Sequence, residues 1–486
     1  MAEKSNPEPE LRDAFRLSQE AYREKDLVDK YGQQIIVVQL STPRTSSNIT
    51  AIALGQAADA VARSLAMDAD TGVSFTGHAV STMNAIEAPK GDKPTAYFKE
   101  HGACLTANQL DELYSFSNKF LAIQRDPFLI LESMLNKLLL TDKTTGKESR
   151  VNFRIRQILA DPAQSGNLYD RFGVEESLKN KMEACISASD VDSAAAIFLD
   201  SCANQKGFDT WEAMQERMKA TRDYSLANDI LQLTHPDRGT LVTDEEYSKP
   251  QQFFTRDPFS FIRQCAETVT RFIEKYGTEK LSIIDATAVR ASHEELLRAA
   301  RAVGLDPELV STEWAVHESA ATKARTDTAE IFIGRAMRST SMDLPSEYPL
   351  SPSQVPDFLK KEGGLLWQLI ESYTRCAFSR GYIGPRTEAE VASMLNTTVA
   401  YEYGREIKLA ERNPLFAYVA VISSNKIGSK TKQQVAEQMR NILPDYSGVF
   451  DYADRAAAHA KRSLAFVKTV RLTWPHRAAP RQAGLH

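Results

Sequence analysis

The sequence predicts a mainly α fold: two helical lobes with a small β element near the N-terminus and extended terminal arms. Amphipathic helical periodicity, broken by short turn clusters, dominates the 486 residues. Glycine and proline are scarce, at 22 and 20 residues, which suits long helices with compact joints. Sequence patterns typical of β-strands are limited to three short runs, Gln34–Leu40, Gly72–Phe75 and Leu281–Ile284.

Composition places the chain among soluble globular proteins, with 42% apolar and 25% charged residues. No run of about 18 apolar residues is present, so we expect no membrane span. The polar segment Met1–Glu10 lacks the apolar core of a secretory signal. The five cysteines are odd in number and never form a C-x-x-C pair, which argues against a disulfide framework and indicates a reducing cytosol.

Helix starts are legible at three proline-containing tetrapeptides. They contain the pairs Asp126-Pro127, Asp257-Pro258 and Asn413-Pro414. In each pair the Asp or Asn side chain can cap free backbone N–H groups, and the proline takes the first helical position. Ser292 and Thr387 each open a capping box.

Turn-prone and charged stretches divide the chain into four parts. Pro236–Pro250 is polar and acidic, and we place the boundary between the lobes there. The prediction is an N-terminal arm at 1–30, an N-terminal helical lobe at 31–240, a C-terminal helical lobe at 241–450, and a basic C-terminal helix and tail at 451–486.

The C-terminal part differs in charge from the rest. Residues 451–486 contain seven lysines and arginines against two aspartates, whereas the whole chain has a net charge of −5. A basic arm on an acidic body indicates contact with a polyanion or with an acidic neighbouring subunit.

The sequence contains none of the common catalytic or metal-binding motifs. There is no H-E-x-x-H, no G-x-S-x-G and no Walker loop, and the histidines show no metal-ligand spacing. Cys376 has no evident activating partner in the sequence. We therefore expect a non-enzymatic protein without a cofactor or a metal.

Three basic clusters carry the functional prediction. Basic side chains neutralise phosphates and aromatic rings stack on unpaired bases, so two of the clusters predict RNA contacts. The alternative, that these are ordinary solvated faces, has about equal weight. The predicted RNA-binding residues are Lys143, Lys147, Arg150, Arg154, Arg156, Tyr373, Arg375, Arg380, Tyr382 and Arg386. The third cluster, Lys461, Lys468 and Arg471, shares one side of the C-terminal helix and predicts a subunit contact.

Three stretches carry a resemblance to viral proteins. The aromatic and arginine-rich segment Tyr373–Arg386 is similar to segments that line the RNA groove of rhabdovirus-type nucleoproteins. Asn413–Tyr418 and Tyr452–Ala456 resemble their C-terminal lobe. Partitivirus-type capsid proteins are similar in length and in helix-rich composition. The resemblance implies two helical lobes that clamp RNA and terminal arms that reach neighbouring subunits.

The sequence therefore predicts a self-assembling viral coat or nucleocapsid protein that packages RNA, found in the virion and the host cytoplasm. Its partners would be many copies of itself and RNA, with no membrane. The alternative is a cytosolic helical effector or adaptor, or an enzyme whose site residues are dispersed in the sequence. A coat protein would elute as large particles with nucleic acid, whereas an effector would elute as a small, nucleic-acid-free species.

Overall fold

The computed structural model describes five main blocks of the chain and several short pieces, with side chains described as far as residue 462. The blocks are 119–140, 149–233, 257–286, 350–379 and 414–473, and the other pieces are 35–42, 50, 53–55, 57–58, 60–63, 95–101, 107, 110–111, 114, 294–310, 389, 391, 398–402 and 405–408. The structural statements below concern these residues.

A five-stranded sheet, in which every neighbouring pair of strands is parallel, is the centre of the fold. The strand order is β2-β3-β1-β4-β5. Apolar runs such as IIVVQLS and KFLAIQ suit parallel strands because both faces of such a sheet are covered. The strands are β1 (Ile35–Ser41), β2 (Ala60–Arg63), β3 (Thr95–His101), β4 (Lys119–Gln124) and β5 (Leu281–Asp285).

Helices cover most of the remaining described chain. They are α1 (Pro127–Leu139), α2 (Arg150–Leu159), α3 (Pro162–Phe172), α4 (Glu176–Ser187), α5 (Val191–Asn204), α6 (Trp211–Thr221), α7 (Asn228–Leu233), α8 (Pro258–Tyr276), α9 (Glu294–Val303), α10 (Asp357–Lys360), α11 (Leu365–Ser379), α12 (Pro414–Ser423), α13 (Ser429–Ile442) and α14 (Ser447–Thr473). A separate antiparallel hairpin consists of β6 (Thr398–Glu402) and β7 (Arg405–Lys408).

Each face of the parallel sheet packs against a helix. Alternate residues of β1, β4 and β5, such as Val38 and Phe120, meet α8 at Val269 and Phe272. The residues between them, such as Leu121, point to the opposite face and meet α9. Because side chains alternate along a strand, this pattern assigns every buried strand residue to one face. We call these the α8 face and the α9 face.

The largest apolar cluster lies among the helices. It joins α1, α2 and the helices up to α7 with α8, α11, α12 and α14, through side chains such as Phe128, Phe198, Phe259 and Tyr418. Burial of this size is the main source of stability for a helical assembly, because helix propensity alone contributes little.

The structure confirms the mainly α fold with a small β element in the N-terminal part. Two predicted strands are present as β1 and β5, whereas Gly72–Phe75 lies outside the described residues. Asp126 and Asp257 cap α1 and α8 as predicted, each by accepting a backbone N–H bond next to a proline. Asn413, Ser292 and Thr387 lie outside the described residues, as do most of the predicted arms.

The division into four domains stays a prediction, but several contacts cross its boundaries. β4 and β5 pair across residue 240, and so do Gln354 Nε2 and the Thr221 carbonyl, at 2.9 Å. The boundary at 450/451 falls inside α14, whose Phe450 and Ala453 are both fully buried. The described parts of the two predicted lobes therefore share one sheet and one apolar cluster.

Candidate ligand site at the carboxyl edge of the sheet

The first predicted RNA cluster lies on and before α2. Arg150 is the first residue of this helix, and Arg154 contacts Gln157 through Nη1 at 3.3 Å. Arg156 forms an ion pair of 2.5 Å with Asp192 of α5. Lys143 and Lys147 lie outside the described residues. The RNA contact of this cluster stays a prediction.

The second predicted RNA cluster is described at Tyr373 and Arg375, and its RNA contact stays a prediction. Tyr373 is only 3% exposed, so its ring has no free face on which a base could stack. The Arg375 guanidinium pairs with Glu274 of α8 and with Glu371 of its own helix, and its side chain is 13% exposed. Both residues therefore join α11 to its neighbours. Arg380, Tyr382 and Arg386 lie outside the described residues.

The predicted subunit-contact residues lie in α14. Lys461 is exposed, and its ammonium nitrogen lies 5.3 Å from the centre of the Phe378 ring of α11. The side chains of Lys468 and Arg471 lie outside the described part of the helix. The subunit contact stays a prediction.

Buried polar side chains gather instead at the carboxyl edge of the parallel sheet. On the α8 face, β4 ends with Gln124 and β5 ends with Asp285, and these two residues are partners in the strand register. Thr42 follows the end of β1 on the same face, by the alternation that places Leu40 there. All three are at most 5% exposed.

Tyr373 completes this polar group from α11. Its hydroxyl donates a hydrogen bond of 2.5 Å to Oδ2 of Asp285, which is fully buried. The preceding residue, Ser372, donates its hydroxyl to the Ala266 carbonyl of α8 at 3.1 Å and so fixes the register of the two helices. A charged-group hydrogen bond of this kind offsets part of the cost of burying a carboxylate.

Asp126 lies just beyond β4 and is fully buried. Its Oδ1 accepts from the Phe128 N–H at 2.9 Å, whereas Oδ2 has no hydrogen-bond partner. Burial, with a smaller contribution from the negative charge of Asp285, raises the pKa of Asp126 to about 7 against the opposing hydrogen bond from the Phe128 N–H. A carboxyl group with a pKa near neutrality is suited to accept or donate a proton at physiological pH.

Two more buried polar atoms near this edge lack a hydrogen-bond partner. They are Nε2 of Gln124 and Oγ1 of Thr374, the residue next to Tyr373. Buried polar atoms are nearly always paired in folded proteins, so an unpaired group often marks the place of a bound water or ligand.

The α9 face of the same edge is also polar. The Tyr97 hydroxyl donates to Oε1 of Gln39 at 2.5 Å, and Nε2 of Gln39 donates to the Ser41 hydroxyl at 2.7 Å. β3 ends at His101, which is the register partner of Ser41. Arg125, which follows β4, is 4% exposed and is the only buried lysine or arginine of the described residues.

The strand order also makes the carboxyl edge of the sheet a candidate for ligand binding. β1 is followed in sequence by β2 on one side of the sheet, whereas β4 is followed by β5 on the other side. By strand order, the chain therefore continues from β1 and from β4 toward opposite sides of the sheet. In open α/β sheets, ligands bind outside the carboxyl ends of the strands at such a switch point.

Among the residues that the structure describes, no three His, Cys, Asp or Glu side chains are grouped as metal ligands.

Sequence reasoning missed Arg125, Asp126 and Asp285 as site residues. A usable signal exists, because each of them ends a strand or follows one within two residues, as in FLAIQ-R-D. Dispersed residues of this kind are recognisable only once the strands are known to be parallel and adjacent.

Comparison with known proteins gives no relative. No family model matches this chain, and neither a curated protein nor a solved structure matches it. Within the described part of the chain, none of the helices combines the length and the apolar character that crossing a bilayer requires.

Proposed function

We propose that this chain is an α/β enzyme that binds a small phosphorylated molecule of nucleotide type at the carboxyl edge of its sheet. The observation that carries the proposal is the convergence of buried polar residues, including Arg125, at the switch point between β1 and β4. This proposal develops the sequence-based alternative of an enzyme with a dispersed site, and it departs from the prediction of a non-enzymatic protein.

Arg125 is the cationic residue of this edge. It already has a partner within the fold, and its guanidinium carries five N–H donors, two of which can bind a phosphate in parallel. In doubly wound sheets the phosphates of nucleotides occupy the crevice at the switch point.

Asp126 supplies a candidate proton-transfer group at the same edge. Burial raises the pKa of Asp126 to about 7, so this carboxyl is partly protonated at neutral pH. The proposed reaction class is a phosphoryl transfer in which Asp126 accepts the proton of the attacking hydroxyl while the bond from phosphorus to the leaving group breaks.

Calorimetric titration of the full chain with nucleoside 3′- and 5′-phosphates and dinucleotides tests the proposal. Arg125→Lys keeps the charge but loses the two-pronged geometry, and we expect at least a tenfold weaker affinity, which corresponds to about 1.4 kcal/mol. Arg156→Lys on the surface is the matched control and should bind as the parent does. Failure of every phosphate in the panel to bind would contradict the proposal.

The RNA-packaging coat protein stays a prediction. Light scattering of the eluted protein, with its 260/280 nm absorbance ratio, discriminates it from the enzyme: particles with nucleic acid favour a coat, and a small clean species favours the enzyme. Charge reversal at Arg375 is a poor test of RNA binding, because it would break two ion pairs within the protein.

A further inference from the structure

We propose that Gln124 and Asp126 together hold the attacking hydroxyl group, and that the phosphoryl acceptor is an alcohol without a negative charge near this hydroxyl. We call the two side chains the hydroxyl subsite. The inference rests on the proposed function, and it adds a residue that recognises the second substrate and the chemical class of that substrate. The nucleotide contact proposed for Arg125 does not involve Gln124.

Gln124 and Asp126 lie on one side of the chain where β4 ends. Gln124 is the last residue of β4, and Asp126 is the residue before α1. The φ and ψ angles of Asp126, −47° and 124°, keep the chain extended there. Side chains two residues apart in extended chain point to the same side, with Cα atoms about 7 Å apart. Both side chains therefore lie on the α8 face, where Gln124 is the register partner of Asp285.

Each side chain of the hydroxyl subsite has one buried atom without a hydrogen-bond partner among the described residues. In Gln124, which is 5% exposed, this atom is Nε2, which can only donate. In Asp126, which is fully buried, it is Oδ2, because Oδ1 accepts from the Phe128 N–H. An ionised carboxylate oxygen can only accept. Buried polar atoms are nearly always paired, so these two indicate a place where one ligand group bonds to both.

One donor beside one acceptor selects a hydroxyl group. The oxygen of an alcohol accepts a hydrogen bond from Nε2 of Gln124, and its O–H donates to Oδ2 of Asp126. An ammonium group carries donors only and leaves Gln124 unpaired, whereas a carboxylate carries acceptors only and leaves Asp126 unpaired. Because an unpaired buried polar group costs free energy, the subsite prefers the alcohol to both ions.

The charge around the hydroxyl subsite is negative. Asp285 is fully buried and lies close enough to Asp126 for its charge to raise the pKa of that carboxyl. Arg125 points to the α9 face by the alternation of side chains, away from the subsite. Two carboxyls in a buried environment repel an anion, so the acceptor carries no negative charge near its hydroxyl.

The subsite also directs the proton in the transfer step. Nε2 of Gln124 fixes the hydroxyl oxygen while Oδ2 of Asp126 accepts its proton. A bond forms between that oxygen and phosphorus, and the bond from phosphorus to the leaving oxygen breaks, with its electron pair remaining on the leaving group. Arg125 lies between the two residues in the chain, so the phosphate that it binds is next to the hydroxyl.

Three two-carbon compounds that differ in their end group test the subsite: ethanol, ethylammonium and acetate. The full chain is labelled with ¹⁵N in its glutamine side chains, and the NMR signal of the Gln124 amide is assigned by its absence in Gln124→Met. Each compound is titrated at pH 8 and equal ionic strength, because Asp126, with a pKa of about 7, is mostly ionised there. We expect ethanol to shift the Gln124 signal at concentrations at least tenfold lower than either ion. No shift with ethanol, or equal shifts with all three compounds, would overturn the proposal.

Asp126→Asn should reverse the preference of the subsite. Its amide can place a second donor where Oδ2 was, so we expect acetate to bind at least tenfold more tightly than to the parent and ethanol at least tenfold more weakly. Asp190→Asn, the same substitution at the exposed cap of α5, is the matched control and should bind all three compounds as the parent does. An unchanged preference in Asp126→Asn would contradict the proposal.

A second buried glutamine separates a binding role from a structural one. Nε2 of Gln215 donates to the Leu139 carbonyl at 2.5 Å. Gln215→Met should therefore lower the melting temperature by about 1–3 °C, whereas Gln124→Met should not lower it, because no bond of Nε2 within the described protein is lost. An equal decrease in both variants would assign Gln124 a structural role and overturn the proposal. These measurements need no nucleotide, so a failure of nucleotide binding in the calorimetric titration would contradict the proposed function alone.

Discussion

Replacing Asp126 with asparagine removes the charge of a fully buried carboxyl and keeps an oxygen that can accept from the Phe128 N–H. Asparagine is as good a helix cap as aspartate, so α1 should start at the same residue. The substitution also leaves Asp285 without a second carboxyl beside it. Asp126→Asn therefore isolates the free energy that the buried charge costs.

The size of this free-energy cost follows from the pKa of Asp126 in the folded protein. In the unfolded chain the carboxyl loses its proton near pH 3.8, whereas in the folded protein burial and the Asp285 charge raise its pKa to about 7. The two pKa values differ by about 3, and each pKa unit corresponds to about 1.4 kcal/mol. The folded state binds more protons between these pH values, so stability falls as the pH rises. The full cost, about 4 kcal/mol, is present above pH 7.

Thermal unfolding of the parent and of Asp126→Asn across this pH range measures the effect. The unfolding entropy is about 2.1 cal/mol/K per residue, or about 1 kcal/mol/K for the 486-residue chain. The melting temperature of the variant relative to the parent should therefore increase by about 4 °C between about pH 4 and about pH 7. Other titrating groups are common to both proteins and cancel in this difference.

A difference in melting temperature that is the same at every pH would refute the reasoning, because it would mean that Asp126 has similar pKa values in both states. Asp190→Asn is the matched control, since Asp190 caps α5 at the surface. Its hydrogen bonds with Ser193 lower its pKa, so its contribution has the opposite sign and is lost as the pH falls in the acid range.

Three further substitutions test contacts of the fold by the same thermal measurement. Glu132→Gln breaks a buried ion pair in which Arg222 donates two hydrogen bonds of 2.7 and 2.8 Å. We expect the free energy of unfolding to fall by about 3 kcal/mol. A fall no larger than that caused by breaking an exposed ion pair would contradict this expectation. Tyr373→Phe removes the hydroxyl that donates a hydrogen bond to Asp285. We expect the free energy of unfolding to fall by about 1–3 kcal/mol. Unchanged stability would show that another group replaces the Tyr373 hydroxyl as donor. Gly364→Ala forces the backbone before α11 to move, and we expect lower stability, whereas a neutral result would argue against the close approach seen there.

Helix starts were predictable because capping is a local interaction. Asp126 and Asp257 each bond to an N–H within three residues and precede a proline, so a tetrapeptide contains the whole signal. The sheet was only partly predictable. β4 is six residues long, is almost completely buried, and pairs with strands far away on either side in the sequence. Nothing within those six residues indicates which strands they join.

The candidate site was hidden for a related reason. Tyr373 and Arg375 have the composition of a nucleic-acid surface, but composition does not distinguish an exposed aromatic from a core aromatic. The partners of these residues, Asp285 and Glu274, lie about 90 and 100 positions earlier and belong to other elements. Burial and ion pairing, which depend on tertiary packing, decide the role of such residues.

The pairing of β4 with β5 has a consequence for biosynthesis. Residues 125–280 separate the two strands, and ribosomes add about 5–20 residues per second, so β5 is made about 8–30 s after β4. During that interval the outer hydrogen-bonding edge of β4 has no partner, and a bare strand edge is a template for association with other chains. Nascent chains that stop before residue 281 should therefore require chaperones and should aggregate when released, whereas chains that extend past 285 should not.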